Sequence, residues 1–247
     1  SHGDDRDLPG FARALPRLVR FVSGFGSQSV PDTAGFAHPD QWPTLDWEAL
    51  AEHHGMAATV FERRIPAVDH PSFRSWQQAT QEYQAELLRH HVETLRRLKY
   101  RPTGGFATVG FADSQPAISA AVLDHERVPK AAYAALALAC RPVIVVADRL
   151  PAEVVGGDTL ALDVHVSSDL RTPIERLEVG ARLSRTGGEQ RWRFGGAVAA
   201  DTCIRVGTLQ VEVPDRPGPL VLDLVLTGKG LGDEPIERTD RSRIVVG

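Results

Sequence analysis

The side chains most able to do chemistry in this 247-residue chain fall in a few places. These are the adjacent pairs His53-His54 and His90-His91, the acidic run Asp4, Asp5 and Asp7, and the stretch Ser23-Gly24-Phe25-Gly26-Ser27-Gln28-Ser29, with Asp113 further on in Phe111-Ala112-Asp113. Paired histidines suggest a metal, but adjacent residues on a helix point about 100° apart and do not converge on one ion. His91 falls on an apolar stripe and reads as a packed, hydrogen-bonded core histidine. The acidic run lacks the glycine and the bidentate glutamate of a calcium loop and reads as a solvated loop, so no metal is expected. Ser23 does not stand in a G-x-S-x-G elbow, and neither a phosphate-binding glycine loop nor a Cys/His zinc spacing occurs, so no cofactor is expected. Cys140 and Cys203 fall in a helical and a strand-like stretch and read as two buried thiols rather than a bridge.

What remains is the segment around Gly24. Leu18 to Phe25 is a β-branched and aromatic run bounded by Pro16 and Gly26, which suits a buried parallel strand. A glycine at the end of such a strand has an ordinary explanation, a bulge or a close backbone approach. A second explanation comes from the flanks. Arg20-Phe21-Val22-Ser23-Gly24-Phe25-Gly26-Ser27-Gln28-Ser29-Val30-Pro31 resembles the nucleophile segment of retaining β-mannosidases of glycoside hydrolase family 2, R-F-V-S-E-F-G-x-Q-S-x-P, with Gly24 where the family carries its glutamate. Lys99 to Phe106 and Pro116 to Lys130 are similar to the family's last barrel strand and following turn, with Ala120 where a tryptophan usually stands. The three motifs keep the family's order, and the resemblance runs from about residue 2 to about residue 150.

The resemblance implies hydrolysis of terminal β-mannosides by a retaining mechanism, with a carbohydrate as partner. Retaining glycosidases use two carboxyl groups about 5 to 5.5 Å apart. The family's nucleophile aligns on Gly24 and its acid/base glutamate lies on a fourth strand that this chain does not contain, so the chain alone is expected to be inactive. The alternative is a non-catalytic pseudoenzyme that keeps a sugar-binding or interaction surface. Ser27, Gln28, Asp113 and the Ala120 position would line the sugar pocket, because active sites of such barrels sit at the C-terminal ends of the strands. Turn formation and capping explain Ser27 and Asp113 equally well, and Ala120 fits simple packing behind the strand as well as it fits a lost indole.

The elements that must position these residues are legible in outline. Thr44 to Leu50 begins a short helix capped by Thr44 or Asp46 and closed by Gly55. From Ser72 a long helix presents Trp76, Ala79, Tyr83, Leu87, His91, Leu95 and Leu98 on one face. Phe106 to Phe111 reads as a strand and Lys130 to Cys140 as a helix. After Arg141-Pro142 the chain turns to short runs: Val143 to Ala147, Leu160 to Val166, Leu177 to Leu183, Arg191 to Phe194, Ile204 to Val213, Leu220 to Leu226 and Arg243 to Val246. Gly156-Gly157-Asp158, Gly187-Gly188 and Pro217-Gly218-Pro219 separate them, as in an immunoglobulin-like sandwich. The expected fold is α/β plus all-β: residues 1–141 as the last two βα units of a (β/α)8 TIM barrel, residues 142–247 as the sandwich. Two strands cannot close a barrel, so a companion polypeptide, or a missing N-terminal part, is expected to carry the first six.

Composition narrows the partners. With 42% hydrophobic and 24% charged residues and a net charge of −4, the chain has no basic surface for nucleic acid or anionic membrane. Only three of the 28 basic residues are lysines: Lys99, Lys130 and Lys229. No apolar run approaches the roughly 20 residues that cross a bilayer, and the first residues lack a signal-peptide pattern, so a cytoplasmic location is expected. The start His2-Gly3-Asp4 resembles a loop between the family's sixth and seventh strands, which implies a beginning inside a barrel.

Overall fold

The structure, a computed structural model, describes residues 7–229, 231–232 and 234–245. Asp4 and Asp5 of the acidic run and Val246 of the last strand-like run lie outside the described residues. The chain divides into two compact units, one comprising residues up to Leu95 together with Tyr100–Cys140, the other Arg96–Lys99 together with Arg141 onward.

In the first unit, β1 (Phe21–Phe25) and β2 (Gly105–Thr108) pair in parallel. Phe21 lies opposite Gly105 and Ser23 opposite Ala107, and the register then slips so that Phe25 meets Thr108. Gly24 is the extra residue of this bulge, at φ +71°. Both strands are shorter than the sequence suggests. Leu18 donates its N–H back to the Leu15 carbonyl at 3.0 Å in a turn, so β1 begins only at Phe21. Beyond β2 the chain turns at Gly110, and the Phe111 carbonyl accepts from Val122 and Leu123 instead of continuing a strand ladder.

The helices are α1 (Asp7–Ala14), α2 (Trp47–His54), α3 (Ala58–Arg64), α4 (Phe73–Arg97) and α5 (Ala131–Ala139). Asp46 caps α2 through Oδ1, which accepts from Ala49 N at 2.9 Å, and Gly55 closes it in the left-handed region. Helices α1 and α3 carry no clear sequence signal, and α3 has no side-chain cap of its own. Its first N–H, that of Ala57, is taken by Gln28 Oε1 at 2.7 Å, a cap supplied from 29 residues away. The anticipated stripe of α4 is largely inward: Trp76, Leu87, His91 and Leu95 are buried. Around Trp76 gather Trp42, Trp47, Phe61 and Phe73 in an aromatic cluster. Farther along α4, Leu88, Val92 and Leu95 pack with Phe25, Val122 and Ala132. Among the described residues no helix is long and apolar enough to cross a membrane.

One sequence expectation is corrected here. Cys140 and Cys203 are not two buried thiols: they form no disulfide, Cys140 is exposed and Cys203 half-buried. Cys140 follows α5, whose Tyr133 and Leu138 are also exposed.

Among the described residues the second unit has eight strands: β3 (Val143–Ala147), β4 (Glu153–Val155), β5 (Thr159–Ser168), β6 (Ile174–Arg185), β7 (Gly188–Val198), β8 (Cys203–Glu212), β9 (Gly218–Lys229) and β10 (Ile236–Val245). They form a five-stranded sheet in the order β4-β10-β9-β6-β7 and a three-stranded sheet in the order β3-β5-β8. Alternate residues of both sheets, among them Val145, Val164, Leu209, Val179, Leu222 and Leu224, share one core, which makes the unit a sandwich. Strand β4 is absent from the sequence reading because its three residues pair in parallel with β10, a partner remote in sequence. In the same unit Lys99, 11% exposed, donates to Asp169 at 2.5 Å and to the Ser168 carbonyl at 3.0 Å, and pairs with Asp201 at 2.5 Å. Burial works to lower its pKa, but the two carboxylates outweigh it and hold the ammonium above the ordinary lysine value.

Candidate functional site

The segments leaving the C-terminal ends of β1 and β2 are knitted together, and Gly24, Ser27, Gln28, Asp113 and Ala120 lie on or beside them. Val109 N donates to the Phe25 carbonyl at 3.1 Å, and Ser29 N to the Ser119 carbonyl at 3.0 Å. Gly24 is exposed, and a Cβ built on it would meet only Val109 Cγ2 at 3.8 Å. Space is therefore not what holds a glycine there. The φ of +71° is, since an L-residue enters this region at a cost of about 1–2 kcal/mol. The bulge explanation of Gly24 thus has a definite geometric basis. Ala120 stands close by: a Cβ on Gly26 would lie 3.6 Å from the Ala120 Cβ.

The other candidates are occupied in ways that the sequence did not disclose. Ser27 is buried, its hydroxyl 3.5 Å from the Gln28 carbonyl. Gln28 spends its carboxamide on backbone, donating from Nε2 to the Gly55 carbonyl at 2.7 Å and accepting from Ala57 N through Oε1. It braces the link between α2 and α3. His54, from the first histidine pair, has Nδ1 at 2.9 Å from the Pro116 carbonyl and stacks on Phe36 at 4.2 Å. His91 packs edge-on against Phe25 at 5.5 Å. Among the described residues no group of three or more His, Cys, Asp and Glu converges to hold a metal ion.

Asp113 belongs to a small polar cluster. Its Oδ2 accepts from Ser119 Oγ at 2.8 Å and lies 3.7 Å from Lys130 Nζ. Lys130 donates to the Ser119 carbonyl at 3.2 Å, and its side chain is almost fully buried. Burial pushes the Lys130 ammonium below the ordinary lysine value, against the opposing pull of Asp113 and Asp124. Arg127 Nη1 donates to the Asp113 carbonyl at 2.7 Å. The arrangement fixes a carboxylate at the foot of the loop after β2 and can orient a hydroxyl-bearing ligand. It contains no pair of carboxylates suited to acid/base work.

Two features escaped sequence reasoning. One is Lys130, visible only as the end of a motif. The other is a buried polar stripe on α4, in which Gln77, Thr80, Gln81 and Gln84 are all buried. Gln77 Nε2 donates to the Pro31 carbonyl at 2.5 Å, Thr80 Oγ1 accepts from Val30 N at 3.0 Å and Gln81 Nε2 donates to the Val30 carbonyl at 3.0 Å. Gln84 accepts from Ser29 Oγ at 2.6 Å and donates to the Ala120 and Ala121 carbonyls at 3.0 and 3.3 Å. One helix face therefore holds both segments that leave the strand ends. The signal was available, since these residues recur at i, i+3, i+4 and i+7 along the helix.

No family model and no curated protein matches the chain. Solved structures do. The β-D-mannosidase of Dictyoglomus thermophilum superposes with a TM-score of 0.68 at 18% identity over 90% of this chain and 27% of the mannosidase. The exo-chitosanase CsxA of Amycolatopsis orientalis superposes with a TM-score of 0.53 at 16% identity over 73% of this chain and 20% of the chitosanase. At these identities the likeness is one of fold: the chain has a glycoside-hydrolase-like fold of mixed helices and sheets. It spans about a quarter of the mannosidase's length and a fifth of the chitosanase's.

Proposed function

We propose that the chain is the C-terminal part of a family 2 β-mannosidase-like glycoside hydrolase and binds terminal β-mannosides at the ends of β1 and β2 while supplying no catalytic carboxylate itself. The observation that carries this reading is that the first motif segment is hydrogen-bonded to the second along the β1–β2 pair and through Gly104 N to the Arg20 carbonyl, and to the third beyond the strand ends through Ser29 N to the Ser119 carbonyl, within a glycosidase-like fold. In this proposal β1 and β2, with the helices that follow them, are the last two βα units of a (β/α)8 barrel (residues 1–141), and the second unit is an immunoglobulin-like domain (residues 142–247). Ser27, Gln28 and Asp113 shape the rim of the sugar pocket, and Ala120 marks its widened wall.

Among the described residues β1 and β2 pair only with each other, and Phe21, Phe111 and Tyr133 stand exposed around them. Parallel strands are stable when both faces and both edges are covered, and a two-stranded sheet is marginal by itself. The proposed cover is a companion polypeptide, or a further length of the parent chain, carrying the first six strands. Native mass spectrometry of material purified from its source tests this. The reading predicts a larger assembly or a longer chain; a 26.9 kDa monomer that stays folded at high dilution would refute it.

A second reading, a sugar-binding protein with no chemistry in any assembly, is favoured by one observation. Gly24 sits in a left-handed bulge, a conformation in which a glutamate would be strained. Saturable binding of a β-mannoside to the assembled protein with no product formed even by a Gly24→Glu variant would select it.

A further inference from the structure

A groove in the first unit, apart from the strand ends, combines an indole with unspent hydrogen-bonding groups. It has a volume of about 660 Å³ and is lined by Asp32, Asp40, Trp42, Phe73, Arg74 and Gln77, among others. Its wall is fixed by the polar stripe of α4. Gln77 holds the Pro31 carbonyl, and Thr80 and Gln81 hold Val30, so the backbone immediately before Asp32 is pinned to the helix that carries Arg74. Its floor rests on the aromatic cluster: the Trp42 ring lies 5.6 Å from that of Trp76 and 6.1 Å from that of Phe73. Such a surface needs little reorganisation to receive a ligand.

Of the groups that line it, the Trp42 indole N–H and the Asp40 carboxylate are unspent, and Arg74 is loosely held. Trp76 donates its indole N–H to the Ile65 carbonyl at 3.0 Å, whereas the half-buried Trp42 makes no indole hydrogen bond among the described residues. Asp40 is exposed and has no ion pair among the described residues. Arg74 reaches Asp32 at 3.4 Å and Gln77 Oε1 also at 3.4 Å, long contacts made by an exposed guanidinium. Two carboxylates against one guanidinium leave the groove with an excess of negative charge. An apolar ring face beside planar, multidentate polar side chains matches the two faces of a sugar, one of C–H groups and one of hydroxyls. The negative excess disfavours sulfated, phosphorylated or uronic sugars.

From this we infer that the groove between the 31–42 segment and the start of α4 is a saccharide-binding site for a sugar unit without negative charge. It is separate from the residues on which the β-mannoside proposal rests, so it stands or falls independently of Gly24 and Asp113. The test is titration of the full-length protein, by calorimetry and by tryptophan fluorescence, with β-1,4-mannotriose, the β-1,4-glucosamine trimer and trigalacturonate. The expected result is saturable binding of the neutral or the amino trisaccharide with a change in indole emission, and no binding of trigalacturonate. Trp42 is part of the aromatic packing, so the exposed residues are the ones to change. Asp40→Ala and Arg74→Ala should each weaken the binding that changes indole emission by about tenfold, the loss of one charged hydrogen-bonding group, while Arg193→Ala, an exposed change in the second unit, should leave it unchanged. The inference is overturned by the absence of saturable binding, by preference for trigalacturonate, or by a saturable change in indole emission that survives both groove substitutions. Loss of binding in Asp113→Ala alone would also overturn it, by assigning the sugar to the strand ends.

Discussion

Both units have apolar cores, but they hold the backbone beside those cores by different means. In the second, alternating leucines and valines of two sheets meet in a core where Leu220, Leu222, Leu224 and Leu226 are fully buried. In the first, a helix lays amides against loops, and Gln77, Gln81 and Gln84 satisfy backbone carbonyls that no regular ladder reaches. The sandwich needs only the right period and enough apolar area. The strand-end segments of the first unit need named partners, because an unpaired buried carbonyl or hydroxyl costs about 1–3 kcal/mol. Irregular backbone held by side-chain amides is also where a ligand site can be shaped without disturbing a core.

The largest expected contrast comes from truncation. Leu222→Ala should cost the second unit about 2–5 kcal/mol, the usual range for a fully buried leucine, read by native-state hydrogen exchange of the sandwich amides with those of the first unit unchanged. Volume-conserving swaps should then separate the two chemistries. Leu222→Met should cost less than about 1.5 kcal/mol. Gln84→Met should cost about 1–3 kcal/mol, because it leaves Ser29 Oγ and the Ala120 carbonyl without their partner, and equal losses for the two would erase the proposed difference. A smaller effect, about 1–2 kcal/mol, is expected for Gly24→Ala from its φ alone, measured as a lower denaturation midpoint of the first unit; no loss would mean that the bulge relaxes without cost.

Buried Lys130 and half-buried Lys99 sharpen the same comparison by sign. Burial lowers Lys130 in the first unit, so with an unfolded value near 10.4 the folded state sheds its proton earlier, and stability rises as pH climbs through the folded pKa toward the unfolded one. Lys99 in the second unit is raised. Its contribution is complete below the unfolded value and is lost as pH rises through the folded one. The stability difference between wild type and Lys130→Met should therefore grow with rising alkaline pH, and that between wild type and Lys99→Met should shrink, as measured by denaturation between about pH 8 and 11.

How much of this was legible beforehand follows the same division. The sandwich strands announce themselves because period-two alternation is local, and only β4, three residues paired to a distant strand, leaves no trace. Asp46 and Gly55 mark α2 in the same local way. Helix α3 is invisible because its cap is Gln28, from another part of the chain. The site was half legible. Motif order marks Gly24 through Gln28, Asp113 and Ala120 as neighbours of the strand ends, but not that Gln28 is spent on backbone or that Asp113 answers to Lys130, since both are facts of tertiary contact. Cys140 was misjudged for the reverse reason: an alanine- and leucine-rich helix looks buried whether or not anything covers it.

The central proposal is that Gly24 stands at the position of a family 2 nucleophile. The most direct test is release of p-nitrophenol from p-nitrophenyl β-D-mannoside by the assembled native protein, wild type beside Gly24→Glu. The account predicts no release by the wild type and measurable release by the variant, slowed by the strain at position 24. Release by the wild type at a rate indifferent to residue 24 would contradict it.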